Sequence, residues 1–239
     1  MIASVGTALL WGTVAASSLL IGAVLGVVRQ WSDAVVGTVL GFGAGALISS
    51  ISYELFQEGL EVGGGLALAF GLAFGAVVFY VSDRMVERVG GRAAGGAAGL
   101  PLALGAFLDG IPEQAVLGIG IAEGGGVSVA LLVAIFVSNL PEAVGSATDM
   151  RKAGSPARHV LLLWSAVAVV CLLATAGGYA AAEVTAGPFV GVVDGFAAGA
   201  LLVMLVGAMI PEAQAKIHEK AGLAAVVGFA VAAALSLTG

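Results

Sequence analysis

Two Pro-Glu pairs stand inside otherwise apolar stretches: Asp109-Gly110-Ile111-Pro112-Glu113 and Ser138-Asn139-Leu140-Pro141-Glu142. Neither 97–108 nor 127–137, the segments ahead of them, holds a charged residue. A carboxylate at the centre of a membrane helix costs about 2.5–3.5 kcal/mol on insertion scales, so it persists where a partner or ligand stabilises it. Each proline also removes one helix hydrogen bond and frees a carbonyl one turn back, here those of Leu108 and Val137. Acids beside helix-breaking residues, twice in neighbouring apolar segments, suit an ion site in a transporter.

The spacing sharpens this reading. Asp109 and Glu113 are four apart, and Ser138 and Asn139 precede Glu142 by four and three, so on helices each set shares a face. Facing each other, the sets offer three carboxylates, an amide and a hydroxyl, with the freed carbonyls as further oxygens. Three ionised carboxylates so placed repel one another, and they either bind protons or hold a divalent cation. Metal binding would then compete with protons and release them. No Lys or Arg falls within an apolar stretch, which argues against acids that merely pair with bases. A proton relay without metal stays open. Glu54 and Glu58, one turn apart, either collect cations at one mouth or are interfacial acids, and Asp194 is equally ambiguous. Glu212, with His218 and Glu219, could receive a leaving ion at the other mouth, though His159, His218 and Glu219 also read as solvated loop residues.

The elements that must position these residues follow from composition. The chain is 60% hydrophobic and 10% charged, with mean hydropathy +1.10, outside the range of soluble domains. At roughly 20 apolar residues per span, eight fit: 5–28, 34–56, 63–81, 97–121, 127–147, 160–182, 189–210 and 221–237. Connections are short, so 1–239 reads as one domain, and the link 122–126 makes the fourth and fifth spans antiparallel neighbours. The residues from Met1 to Leu10 carry no base, so the first apolar run is expected to be a permanent span and not a signal peptide. The single cysteine, Cys171, excludes an internal disulfide or a cysteine metal cluster. No phosphate-binding Gly-Lys-Ser/Thr loop is present, and the chain is not expected to be an enzyme.

All nine Lys and Arg lie in odd-numbered loops: Arg29; Arg84, Arg88 and Arg92; Arg151, Lys152 and Arg158; Lys216 and Lys220. The positive-inside rule puts those loops in the cytoplasm and both termini outside, and both Pro-Glu motifs at the bilayer midplane. Gly41-Phe42-Gly43-Ala44-Gly45-Ala46-Leu47 matches Gly195-Phe196-Ala197-Ala198-Gly199-Ala200-Leu201 at six of seven positions, and the same offset carries Glu58 onto Glu212. The two spans cross in opposite directions, as an inverted-topology repeat requires, although Gly/Ala-rich helices also resemble one another by chance. The 38 glycines otherwise read as helix-packing residues.

Eight spans with both ends outside, Pro-Glu motifs in the fourth and fifth, and a second-to-seventh inverted relation resemble the ZIP family of divalent metal transporters over essentially the whole chain. That family's fourth span usually reads His-Asn-x-Pro-Glu-Gly, where this chain has Asp109-Gly110-Ile111-Pro112-Glu113-Gln114. The fifth often reads Gln-Asp-x-Pro-Glu-Gly in bacterial members, where this chain has Ser138-Asn139-Leu140-Pro141-Glu142-Ala143. The resemblance implies an all-α fold of eight transmembrane helices in a 3+2+3 inverted-repeat bundle. It makes Glu113 and Glu142 bridging metal ligands and Asp109 and Asn139 flanking ones, with Ser138 a weaker candidate. Asp109 replaces the usual histidine, Gly110 lacks the asparagine side chain, the sixth span lacks the carboxylate that completes a second metal position, and the histidine-rich loop is absent. One oxygen-lined site is therefore expected in place of a two-metal centre.

The resulting expectation is transport of a divalent metal toward the cytoplasm through the cell or inner membrane. Zinc is weighted by the family; oxygen donors suit Mn²⁺ or Mg²⁺, and Fe²⁺ or Cd²⁺ could also be carried. Metal is substrate here, and no cofactor is expected. The expected partners are the lipid bilayer and the ion, with room for a homodimer and none for nucleic acid. Two rivals stand beside it: a proton-coupled carrier of a small solute, which needs a pocket of several hundred Å³, and a non-transporting assembly or sensor protein.

Overall fold

Inside a bilayer every backbone polar group must be satisfied by the protein, and an α-helix does so within one segment. The computed structural model describes residues 4–93, 99–122, 127–184 and 188–238; side chains over 99–109, Asp109 among them, lie outside the described residues. What is described is helical, with no strand. Counting a π turn within the helix that holds it, the elements are α1 Val5–Val28, α2 Asp33–Gly63, α3 Gly65–Ala93, α4 Gly99–Ala122, α5 Val129–Lys152, α6 Ala157–Val184, α7 Pro188–Ile217 and α8 Lys220–Thr238. Seven of them, all but α4, contain stretches long and apolar enough to cross a membrane. The chain is a multi-pass, all-helical membrane protein.

Short polar residues set the helix ends. Ser4, Ser32 and Ser128 accept from the backbone N–H three residues on, satisfying donors that a first turn leaves free. Gly64 takes φ +81° between α2 and α3, a left-handed turn that side chains disfavour. After α5, Gly154 at φ +90° closes a Schellman turn, with Gly154 N–H donating to Arg151 O and Ser155 N–H to Met150 O.

Several helices outrun their apolar stretches. α2 passes Phe56 through a π turn over Ile51–Phe56 and continues to Gly63, where Gln57 Nε2 donates to Glu61 Oε1 at 3.1 Å. α3 continues past Val81, with Arg84 over the Tyr80 ring. α7 continues past Ile210 to Ile217, which brings Lys216 into a helix expected to lack bases. Hydropathy marks where lipid accepts a side chain, whereas a helix ends where its backbone is capped. Pro112 and Pro141 do not end their helices either: α4 and α5 continue through both.

Large apolar side chains such as Leu66, Phe70, Val169, Leu173 and Leu223 are exposed, while Gly, Ala and Ser fill much of the interior. This distribution fits a lipid-facing perimeter with backbones in close approach. The principal helix contacts are α3 with α7, α2 with α8, α4 with α6, α1 with α5, α1 with α6 and α2 with α5; α4 and α5 also touch. Exchanging α1 with α6, α2 with α7, α3 with α8 and α4 with α5 turns the first pair into the second and the third into the fourth. The detail follows the same exchange. A second π turn, Leu205–Met209, starts where the Gly-Phe repeat would place the counterpart of Ile51. A Cβ at Gly45 would meet the Ala225 carbonyl oxygen and one at Gly199 that of Leu72; Gly228 lies likewise on Phe42 O and Gly75 on Phe196 O.

Candidate metal centre

Ridges of small residues let α4, α5 and α6 converge on Glu113. Gly118 on α4 lies against the Thr175 carbonyl of α6, and Gly178 of α6 against that of Ala115. Glu113 is 2% exposed, and its carboxylate meets Ser138 of α5, whose Oγ lies 3.1 Å from Oε1 and 3.3 Å from Oε2. That hydroxyl has one proton and is also 3.0 Å from Ile135 O, so the carboxylate receives at most one shared hydrogen bond from it. Asn139 is buried beside Glu113, close enough to interact, yet its Nδ2 completes no hydrogen bond. Glu142, half-buried one turn along α5, lies within electrostatic reach of Glu113. The structure therefore brings Glu113, Ser138, Asn139 and Glu142 together, and Ser138 makes the closest contact of the set.

Two neighbours were not legible as site residues. Cys171 of α6 is buried within electrostatic reach of both glutamates, and a Cβ at Gly110 would stand 2.6 Å from its Sγ. The missing side chain at Gly110 is what admits the thiol, so a soft atom lies near a cluster expected to offer only hard ones. Thr175, one turn further along α6, donates to Gln114 Oε1 at 2.7 Å and leaves Gln114 Nε2 buried without a partner. The signal available was the run Cys171, Thr175, Gly178 and Tyr179, which marks one buried face of α6 at helical spacing.

Among the described residues no three His, Cys, Asp or Glu side chains converge closely enough to hold a metal ion by themselves. The donors present are two carboxylates, a hydroxyl and an amide, which could hold a divalent cation only as a mixed set. Among the described residues no base contacts Glu113; the polar groups against it are the Ser138 hydroxyl and the Asn139 amide.

The other candidates lie at two further places. Glu54, in the α2 π turn, accepts from Ser128 Oγ at 2.6 Å and Ser236 Oγ at 3.0 Å, both on Oε1, while Oε2 is buried and unpartnered. Glu54 and Glu58 line a cavity of about 500 Å³ together with Tyr53, Gln57, Ser128 and Ser236. Glu212 is instead exposed on α7 and pairs with Lys216 at 3.6 Å, which also reaches Asp33 at 3.6 Å. His218 caps the end of α7 at φ 53° and is exposed, as is Glu219.

No family model matches the chain. Over 193 residues, 77% of this chain, it is 26% identical to a protein of Arabidopsis thaliana named "Putative zinc transporter". The chain spans about 30% of that relative's length.

Proposed function

We propose that this chain carries divalent metal ions across a membrane toward the cytoplasm, with Glu113 and Glu142 as the central ligands and Asp109, Asn139 and Ser138 beside them. The observation that carries the reading is the Glu113 carboxylate, buried at the meeting of three apolar helices with only a shared hydroxyl and an amide to meet its charge. A buried carboxylate so poorly compensated either takes up a proton or, with Glu142 beside it, holds a cation. Zinc is the first choice, on the resemblance to the ZIP family and the relative's name. Cys171 Sγ tilts the donors further toward Zn²⁺ or Cd²⁺ and away from Mn²⁺, Fe²⁺ and Mg²⁺.

In this reading α4 is an eighth span and the bundle is a 3+2+3 inverted repeat. The matched π turns and the reciprocal glycine contacts support it. The confinement of Lys and Arg to alternate connections and the helix ends beside them supports cytoplasmic placement of those ends, with both termini outside. Glu54 and Glu58 then lie at the outer mouth and Glu212 at the inner one. Cysteines introduced at Val62 and Ala153, both exposed, test this: Val62→Cys should react with an impermeant thiol reagent in intact cells, and Ala153→Cys only after permeabilisation. Native Cys171 is buried and should stay silent. Outside labelling of Ala153→Cys would reverse the orientation.

Uptake into proteoliposomes of Zn²⁺, Cd²⁺, Mn²⁺, Fe²⁺ and Mg²⁺, each alone, tests the function itself. Saturable uptake is expected, strongest for Zn²⁺ and Cd²⁺ and weakest for Mg²⁺. Apparent affinity should fall as the pH is lowered, because protons compete for the same carboxylates. One observation favours the rival carrier of a small solute: the cavity of about 500 Å³ at the Glu54 mouth is large enough for one. Uptake of a small organic cation with no response to any of the five metals would select that reading.

A further inference from the structure

The two mouths differ in a way the repeat does not require. Glu58 and Glu212 occupy matching positions, but Glu212 has Lys216 at 3.6 Å, whereas the charged groups within electrostatic reach of Glu58 are acids: Glu54, Glu61 and Asp194 of α7. Asp194 is 1% exposed, and both carboxylate oxygens are buried without a hydrogen-bond partner. It sits directly on the backbone of α2: a Cβ at Gly59 would lie 2.9 Å from Asp194 Cβ and 3.2 Å from Oδ2. Glycine at 59 is thus what lets Asp194 pack against the α2 backbone, one residue along the chain from Glu58. The repeat places Leu40 where Asp194 stands, and Leu40 is ordinary buried core, so packing alone does not call for an acid.

A buried carboxylate with neither hydrogen bond nor base is the costliest kind of polar burial. Protonation would remove the charge but leave a neutral acid whose O–H still needs an acceptor, and neither carboxylate oxygen has a hydrogen-bond partner among the described residues. A divalent cation resolves it, since two carboxylates balance its charge and carboxylate oxygens are its natural donors. Asp194 does not itself line the cavity of about 500 Å³, so access to it runs through Glu58, which lines that cavity together with Glu54.

We propose that Asp194 and Glu58, brought together across Gly59, form a second divalent-cation site at the outer mouth, separate from the Glu113–Glu142 cluster. Its role as a loading site rests on the transport reading; its existence does not. Among the described residues the inner mouth has no counterpart: there Lys216 already occupies the place of the cation beside Glu212, so an arriving ion meets a competitor and is released.

The test is Mn²⁺ binding at equilibrium, by calorimetry and electron paramagnetic resonance, to the full chain in nanodiscs. A Glu113→Gln/Glu142→Gln double variant should retain one Mn²⁺ site. Adding Asp194→Asn should weaken that remaining site at least ten-fold, and Glu58→Gln, at a half-buried position, should do the same. Retained Mn²⁺ affinity in both combined variants would overturn the proposal, as would a double variant that binds no Mn²⁺. Failure of the central cluster reads differently: the double variant would bind as many ions as the unmodified chain, with Asp194→Asn still removing one.

Discussion

Glu113→Gln and Glu142→Gln are each expected to abolish Zn²⁺ uptake and to weaken equilibrium binding at the central cluster by more than about 100-fold, since even outer-shell partners of a metal cost 10–100-fold when lost. Glutamine keeps the size of the side chain and its place on the helix, so the effect isolates charge. Membrane insertion should be unharmed, because a neutral amide is easier to bury than a carboxylate. The two variants need not be equal. Glu113 is buried with Ser138 and Asn139 around it, whereas Glu142 is half-buried, so Glu113→Gln should be the more severe. Binding is measured on the purified variants in nanodiscs with the outer site removed by Asp194→Asn, so that one site is read at a time. Uptake and affinity unchanged in both variants would leave the cluster without a role and remove the main reason for reading this chain as a metal transporter.

Much of this site is written in local sequence. Apolar runs uninterrupted by bases marked the helices, and the i, i+4 spacing of Ser138 and Glu142 put a hydroxyl and an acid on one face. What stayed hidden depends on which helices meet. Cys171 enters the cluster because Gly110, sixty-odd residues earlier in the chain, leaves a gap on a different helix. Ser128, just ahead of α5, and Ser236 of α8 reach Glu54 from elsewhere in the chain. Asp194 gains its meaning only against Gly59. Sequence periodicity describes one helix at a time, and these arrangements are properties of pairs. The π turns were hidden for another reason: an extra residue in a turn changes the register of everything after it without changing composition. The turn over Ile51–Phe56 carries Glu54 within itself and resets the direction of Glu58.

The glycines that set those helix pairs carry the second large expectation. A methyl at Gly45 would meet the Ala225 carbonyl oxygen, and a methyl at Gly199 that of Leu72. Each obstacle is backbone, which cannot swing aside as a side chain can. Gly45→Ala and Gly199→Ala should therefore each destabilise the bundle by about 1–3 kcal/mol, the ordinary cost of overpacking, and the valine variants should fail to assemble. Gly75→Ala and Gly228→Ala, against Phe196 O and Phe42 O, should form a second matched pair. Gly177, Gly207 and Gly222 provide the contrast, because a Cβ at any of them has no atom within 4 Å. There alanine should be neutral or stabilising by up to about 1 kcal/mol, through helix propensity alone. Thermal unfolding in detergent, followed by fluorescence-detected size exclusion, separates the two groups by sign. The comparison within pairs bears on the inverted repeat. If Gly45 and Gly199 hold equivalent contacts in two halves of one design, their alanine variants should lose similar stability, as should those of Gly75 and Gly228. A large loss in one member beside a neutral partner would mean that the matched Gly-Phe segments pack in unrelated ways, and that the likeness between the halves ends at composition.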